Sequence, residues 1–202
     1  PGLALNRGAA VAGGELHVAL SSHCRLPDDA WIARAEAHFA DPAMAAAHGT
    51  RTAPDGAPLT QLLVQGPAQT RAHPRWGFSN HASVWRAAVW RQHAFDEEMP
   101  GAEDRRWSWE IIDRGWRIVF DPELSVDVDH RWKDGTLAYF RRIRMEDRAL
   151  ASFADLPPYP LSQMVADWWR SPQDHRGWLF HHLNPRRAAG FAGRYAGVRK
   201  RR

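Results

Sequence analysis

Two short apolar runs set the class of fold. Leu16–Leu20 (LHVAL) and Arg117–Phe120 (RIVF) are too short for helices and too apolar for loops, so each reads as a buried strand. The first ends in the polar turn Ser21-Ser22-His23-Cys24-Arg25, the second in Asp121-Pro122. Helical patterns lie between and after them. Asp28 or Asp29 caps a stretch in which Trp31, Ala35 and Phe39 share one face, and Asp41-Pro42 stops it. Ser83 reads as the cap of a short helix over Val84–Arg91. Glu103–Arg114 has acids in its first turn, Trp107 and Ile111 four apart, and Gly115 as a left-handed stop. Leu124–Val128 is a further extended piece. Thr136–Phe153 and Ser162–Arg170 read as helices. Residues 48–77 are rich in Gly, Pro, Thr and Gln and read as a loop with one short strand near Leu62–Val64. Strands alternating with helices predict an α/β fold with three or four visible strands.

Composition narrows the function classes. The single cysteine, Cys24, rules out an internal disulfide framework and a thiolate-rich zinc site. No run approaches 18 apolar residues, the length a membrane span needs. The formal net charge is +4, yet the last 17 residues, Arg186–Arg202, hold seven Lys/Arg and no acid. The body is therefore net acidic. The basic end implies an anionic neighbour such as a lipid surface or nucleic acid, and a lipid surface would be reached peripherally from the cytoplasmic side. A nucleic-acid partner is not expected, because no RNA- or DNA-reading motif appears in the body.

Three places carry candidate chemistry. Ser21-Ser22-His23 lies at the carboxyl end of a strand, where open α/β sheets bind ligands, and the His23 imidazole is a candidate metal ligand. Glu103-Asp104 opens a helix, and a carboxylate there is a candidate general base. His130 follows an extended segment and is a second candidate ligand, with Asp129 beside it to orient the ring. His175, His181 and His182 have poor zinc spacing and no cysteine support. The sequence holds 11 tryptophans, and tryptophan both buries large area in cores, its commoner use, and stacks on sugar rings.

In order along residues 5–132, these pieces resemble the family 2 glycosyltransferases. Asn6-Arg7-Gly8, Gly14-Glu15 and LHVALSSHCRLPDDAWI look like the middle of that family, with Ser-Ser-His at the family's metal-binding turn. GFSNHASVWRAAVW, FDEEMPGAEDRRWSWEIIDRGWRIVFDPELSVDVDH and its closing His130 look like the acceptor-side half. The resemblance implies a partial GT-A fold, a mixed sheet flanked by helices that binds a nucleotide-diphospho-sugar. It implies inverting transfer of a sugar to a glycan or lipid-linked acceptor, in cell-envelope polysaccharide synthesis. By position, Asp104 would be the base with Glu103 beside it. Ser21, Ser22 and Asn80 would bind the donor, and Trp107 and Trp109 would line the acceptor site. His23 and His130 would hold Mg²⁺ or Mn²⁺ against the leaving diphosphate.

Two departures from the family pattern shape the expectations. The Ser-Ser-His turn has no aspartate, whereas Mg²⁺ prefers carboxylate oxygens, which predicts metal binding that is weak, filled out by water, or absent. The family's opening strand and base-recognition loop do not precede Pro1, which predicts low activity for these 202 residues alone. The alternative is a non-catalytic relative that binds a glycan or a partner. The expected organisation is a GT-A core over 1–135, a helical extension over 136–185 and a flexible basic tail over 186–202.

Overall fold

The computed structural model describes residues 1–22, 24–49, 60–128, 135–170 and 182–198. Two compact units divide the chain, Pro1–Met99 with Glu103–His130, and Pro100–Ala102 with Arg131–Arg202.

The first unit is built on a five-stranded mixed sheet. Its strands are β1 (Leu16–Leu20), β3 (Met44–His48), β4 (Leu63–Gln65), β5 (Ala82–Arg86) and β6 (Arg117–Phe120), in the order β1-β5-β3-β6-β4. β3 and β6 are parallel, and the other neighbours are antiparallel. A two-stranded ribbon pairs β2 (Cys24–Arg25) with β7 (Asp127–Val128).

Strand alternation sends successive side chains to opposite faces. Ala46 stands opposite Trp85 and Ile118, and Ala47 opposite Val84 and Val119. The first trio packs with Ala9 of α1 (Gly2–Val11), Val89 of α4 (Ala87–Gln92), and Trp107, Ile111 and Ile112 of α5 (Glu103–Asp113). The second packs with Trp31 and Ala35 of α2 (Trp31–Ala37). The sheet is thus covered on both faces, the layered solution expected for an α/β chain. A further α-helix of this unit is α3 (Pro67–Ala72).

The second unit holds α6 (Thr136–Leu150), α7 (Leu161–Arg170) and α8 (Pro185–Val198). The segment expected as a flexible basic tail is instead helical as far as Val198. Small residues are the reason. Ala189, Gly193 and Gly197, four apart, form the buried face of α8. A Cβ on Gly193 would stand 2.9 Å from Phe140 O, and one on Gly197 would stand 2.8 Å from Arg144 O, so only glycine lets the two backbones come this close.

Two local expectations give way. Val84–Arg91 is not a single helix: Ala82–Arg86 is strand β5, Ser83 lies within it, and the helix begins at Ala87. Residues 44–48, which the sequence pattern leaves between the helix stop at Asp41-Pro42 and the loop over 48–77, form the fully buried central strand β3. In MAAAH the alanines favour helix, and tertiary burial overrides that preference.

Candidate functional site

The sheet brings one set of strand ends together. The carboxyl ends of β1, β3 and β6 lie beside the amino ends of β5 and β4, because Leu20 pairs with Ala82, His48 with Ser83 and Phe120, and Leu63 with Phe120. Beyond β1, Ser21 donates its N–H to His81 O at 2.9 Å, and the turn closes with Cys24 N–H on Ser21 O at 2.8 Å. Asn80 comes next to His81 in the chain and reaches the start of α5. Its side-chain amide donates to Glu103 Oε1 at 2.9 Å, and its backbone N–H donates to Asp104 Oδ2 at 3.2 Å. A run of contacts therefore links the Ser21 turn, His81, Asn80 and the Glu103-Asp104 pair.

The two carboxylates are not equivalent. Glu103 is buried, and burial raises its pKa above the ordinary carboxylate value, with the neighbouring Asp104 charge adding to the effect. Asp104 is half-buried, and two backbone donors fix its orientation, Asn80 at Oδ2 and Arg105 at Oδ1 (2.8 Å). The chain enters α5 through Ala102 at φ +58°, a left-handed conformation that a non-glycine residue adopts rarely.

Ser108 braces the same loop from one turn further on. Its hydroxyl donates to Arg105 O at 2.7 Å and accepts from Phe78 N–H at 3.2 Å. Gly77 makes room for this, since a Cβ there would sit 2.7 Å from Ser108 Oγ.

Trp107 is not a sugar platform. It is 1% exposed, its ring packs on Phe78 and Phe95, and its indole N–H donates to His93 O at 2.7 Å. Its spacing from Ile111 marks the core face of α5, which leaves no ring surface for a ligand. Trp109 is half-buried on the same helix. Ser22 is exposed beside Ser21.

His48 is the residue that sequence reasoning missed. It closes β3, is fully buried, and stands edge-on to Phe78 and Phe120 at ring separations of 5.7 and 5.8 Å. Among the described residues neither ring nitrogen has a hydrogen-bond partner. Burial, and then the charge of Arg105, push its pKa down to about 3. An alanine-rich strand offers no signal that would single this histidine out.

His23 and His130 lie outside the described residues. In sequence they flank the β2–β7 ribbon, one residue before Cys24 and two after Val128. Among the described residues no group of three or more His, Cys, Asp or Glu side chains could hold a metal ion.

The sequence matches no protein-family model and no curated protein. The mixed sheet with helices on both faces resembles part of a glycosyltransferase fold. Among solved structures it is similar to a mannosyltransferase from Pyrobaculum calidifontis in complex with GDP-Man and Mn²⁺, with a TM-score of 0.56 and 17% identity. The likeness covers 95% of this chain and 52% of that one, so this chain spans about half the length of the enzyme it resembles.

Proposed function

We propose that the chain carries the acceptor-side part of an inverting family 2 glycosyltransferase. It moves a sugar from a nucleotide-diphospho-sugar to a glycan or lipid-linked acceptor in cell-envelope polysaccharide synthesis. The observation that carries this reading is the Glu103-Asp104 pair, held by Asn80 beside the carboxyl ends of the sheet. The mannosyltransferase fold supports it.

In this reading Asp104 takes the proton from the acceptor hydroxyl, which is a poor nucleophile until a base removes it. The freed oxygen attacks the anomeric carbon from the face opposite the nucleoside diphosphate. One C–O bond forms, the bond to the diphosphate oxygen breaks with its electron pair, and the configuration inverts once. The backbone N–H groups of Asn80 and Arg105 hold Asp104 in place, and Glu103 anchors the Asn80 side chain. The Ser21-Ser22 turn lines the donor side, and Trp109 offers a ring face to the acceptor. His23 and His130 are the side chains assigned to Mg²⁺ or Mn²⁺, which would neutralise charge on the diphosphate.

The test is a panel of nucleotide-sugars offered to the intact protein with Mn²⁺ or Mg²⁺ and a glycan acceptor. Nucleoside diphosphate release with one donor, and a product of inverted anomeric configuration, support the reading. Retained configuration contradicts it. Glycan binding without donor turnover makes the chain a non-catalytic relative.

A further inference from the structure

We infer that the second unit docks peripherally on an anionic lipid surface through the outer row of α7. Leu161, Val165 and Trp169 are four residues apart, so they share one face of that helix. They are 55%, 48% and 55% exposed. The buried ring of His182 lies 5.1 Å from that of Trp169, and Leu183, next to it in the chain, is 71% exposed. The one acid of α7 is turned away from this row. Asp167 accepts from Tyr159 at 2.9 Å and from Gln163 at 2.6 Å on the opposite side of the helix. Three large apolar side chains aligned in water mark a surface built to be covered.

Charge decides what covers it. Residues 136–202 hold 13 basic and 5 acidic residues, whereas residues 1–135 hold 14 and 18. On α6, Arg141, Arg144 and Arg148 recur at three and four residues, all exposed, and none has an ion pair among the described residues. A second copy would bring the same positive charge to the interface. A nucleic acid would use the arginines and leave the aliphatic row in water. An anionic bilayer takes both, with apolar side chains below the headgroups and arginines among the phosphates. Trp169 suits that boundary, where indole rings concentrate. The ten residues of α7 span about 15 Å. No described helix is long and apolar enough to cross a membrane, so the contact lies on the surface. This inference is independent of the sugar-transfer reading.

The experiment is co-sedimentation of the chain with phosphatidylcholine vesicles, with and without phosphatidylglycerol, at low and high salt. The expected result is binding that requires phosphatidylglycerol and weakens with salt. The single variant Val165→Asp and the pair Arg141→Glu/Arg148→Glu should each weaken it at least about tenfold. Both change exposed side chains, and an unchanged melting temperature confirms that each variant folds. Vesicle binding that survives both variants overturns the inference. So does a self-association lost in Val165→Asp without any vesicle binding, or RNA binding tighter than vesicle binding and indifferent to Val165.

Discussion

The side-chain amide of Asn80 donates to the buried carboxylate of Glu103 at 2.9 Å, across 23 residues of chain. The same residue donates its backbone N–H to Asp104. One asparagine just before β5 thus sets the position of both acids at the start of α5.

Asn80→Ala is expected to cost about 1–3 kcal/mol, because a buried carboxylate loses a donor. Asn80→Asp should cost more, since it places a third carboxylate against the pair. Denaturant titration measures both. A cost below about 0.5 kcal/mol for the alanine variant would show that water replaces the amide without loss.

Glu103→Gln should stabilise the protein at neutral pH. Burial raises the native pKa of Glu103 above its ordinary 4.5. Its contribution to stability is therefore complete below the unfolded value and is lost as pH rises through the native one. Glutamine stays neutral and still offers an oxygen to Asn80. The advantage of the variant, read as a difference in melting temperature, should shrink as pH falls towards 4.5.

His48 gives the opposite dependence. It stays neutral in the native state down to about pH 3, whereas the unfolded chain protonates it near 6.5. The stability tied to the neutral ring is complete above 6.5 and falls as pH drops from there towards 3. His48→Leu removes this dependence along with two buried nitrogens that lack partners. The variant should gain on the native protein as pH falls, by on the order of 2 kcal/mol at about pH 5. Parallel stability curves for the two proteins would contradict the burial of this ring.

Two glycines should respond in opposite directions to alanine. A Cβ on Gly49 would lie 2.2 Å from the backbone carbonyl of Leu124, so Gly49→Ala must push two chain segments apart and should cost about 1–3 kcal/mol or more. Gly8 is exposed within α1 and nothing lies within 4 Å of its Cβ position. Gly8→Ala should add about 0.5–1 kcal/mol through helix propensity. Thermal melts of the pair settle both signs.

Much of the architecture could be read from residues whose local signals agree with their burial. Leu16–Leu20 and Arg117–Phe120 are strands as their apolar runs imply, and Glu103 opens α5 as its acids imply. The errors fall where local preference and tertiary context disagree. Met44–His48 is alanine-rich yet fills the centre of the sheet. Ala189, Gly193 and Gly197 look like tail composition until α6 is set against them. For the site, the carboxylate pair was visible as a helix start, whereas Asn80 as its anchor was not, because that contact joins residues 23 and 24 positions apart. Spacing placed Trp107 on a helical face but could not tell a sugar-facing side from the core.

The central claim is that the half-buried carboxylate at the start of α5 removes the acceptor proton. The measurement that tests it most directly is the turnover of Asp104→Asn in the intact protein, followed as nucleoside diphosphate release with the preferred donor and acceptor. Asparagine keeps the size and one of the two accepting oxygens but not the basicity, so one of the two backbone N–H groups on Asp104 loses its partner at a cost of about 1 kcal/mol. Turnover should fall by about 10²-fold or more in a variant that stays folded at the assay temperature and keeps its donor affinity. Turnover within a few-fold of the native protein would contradict the account.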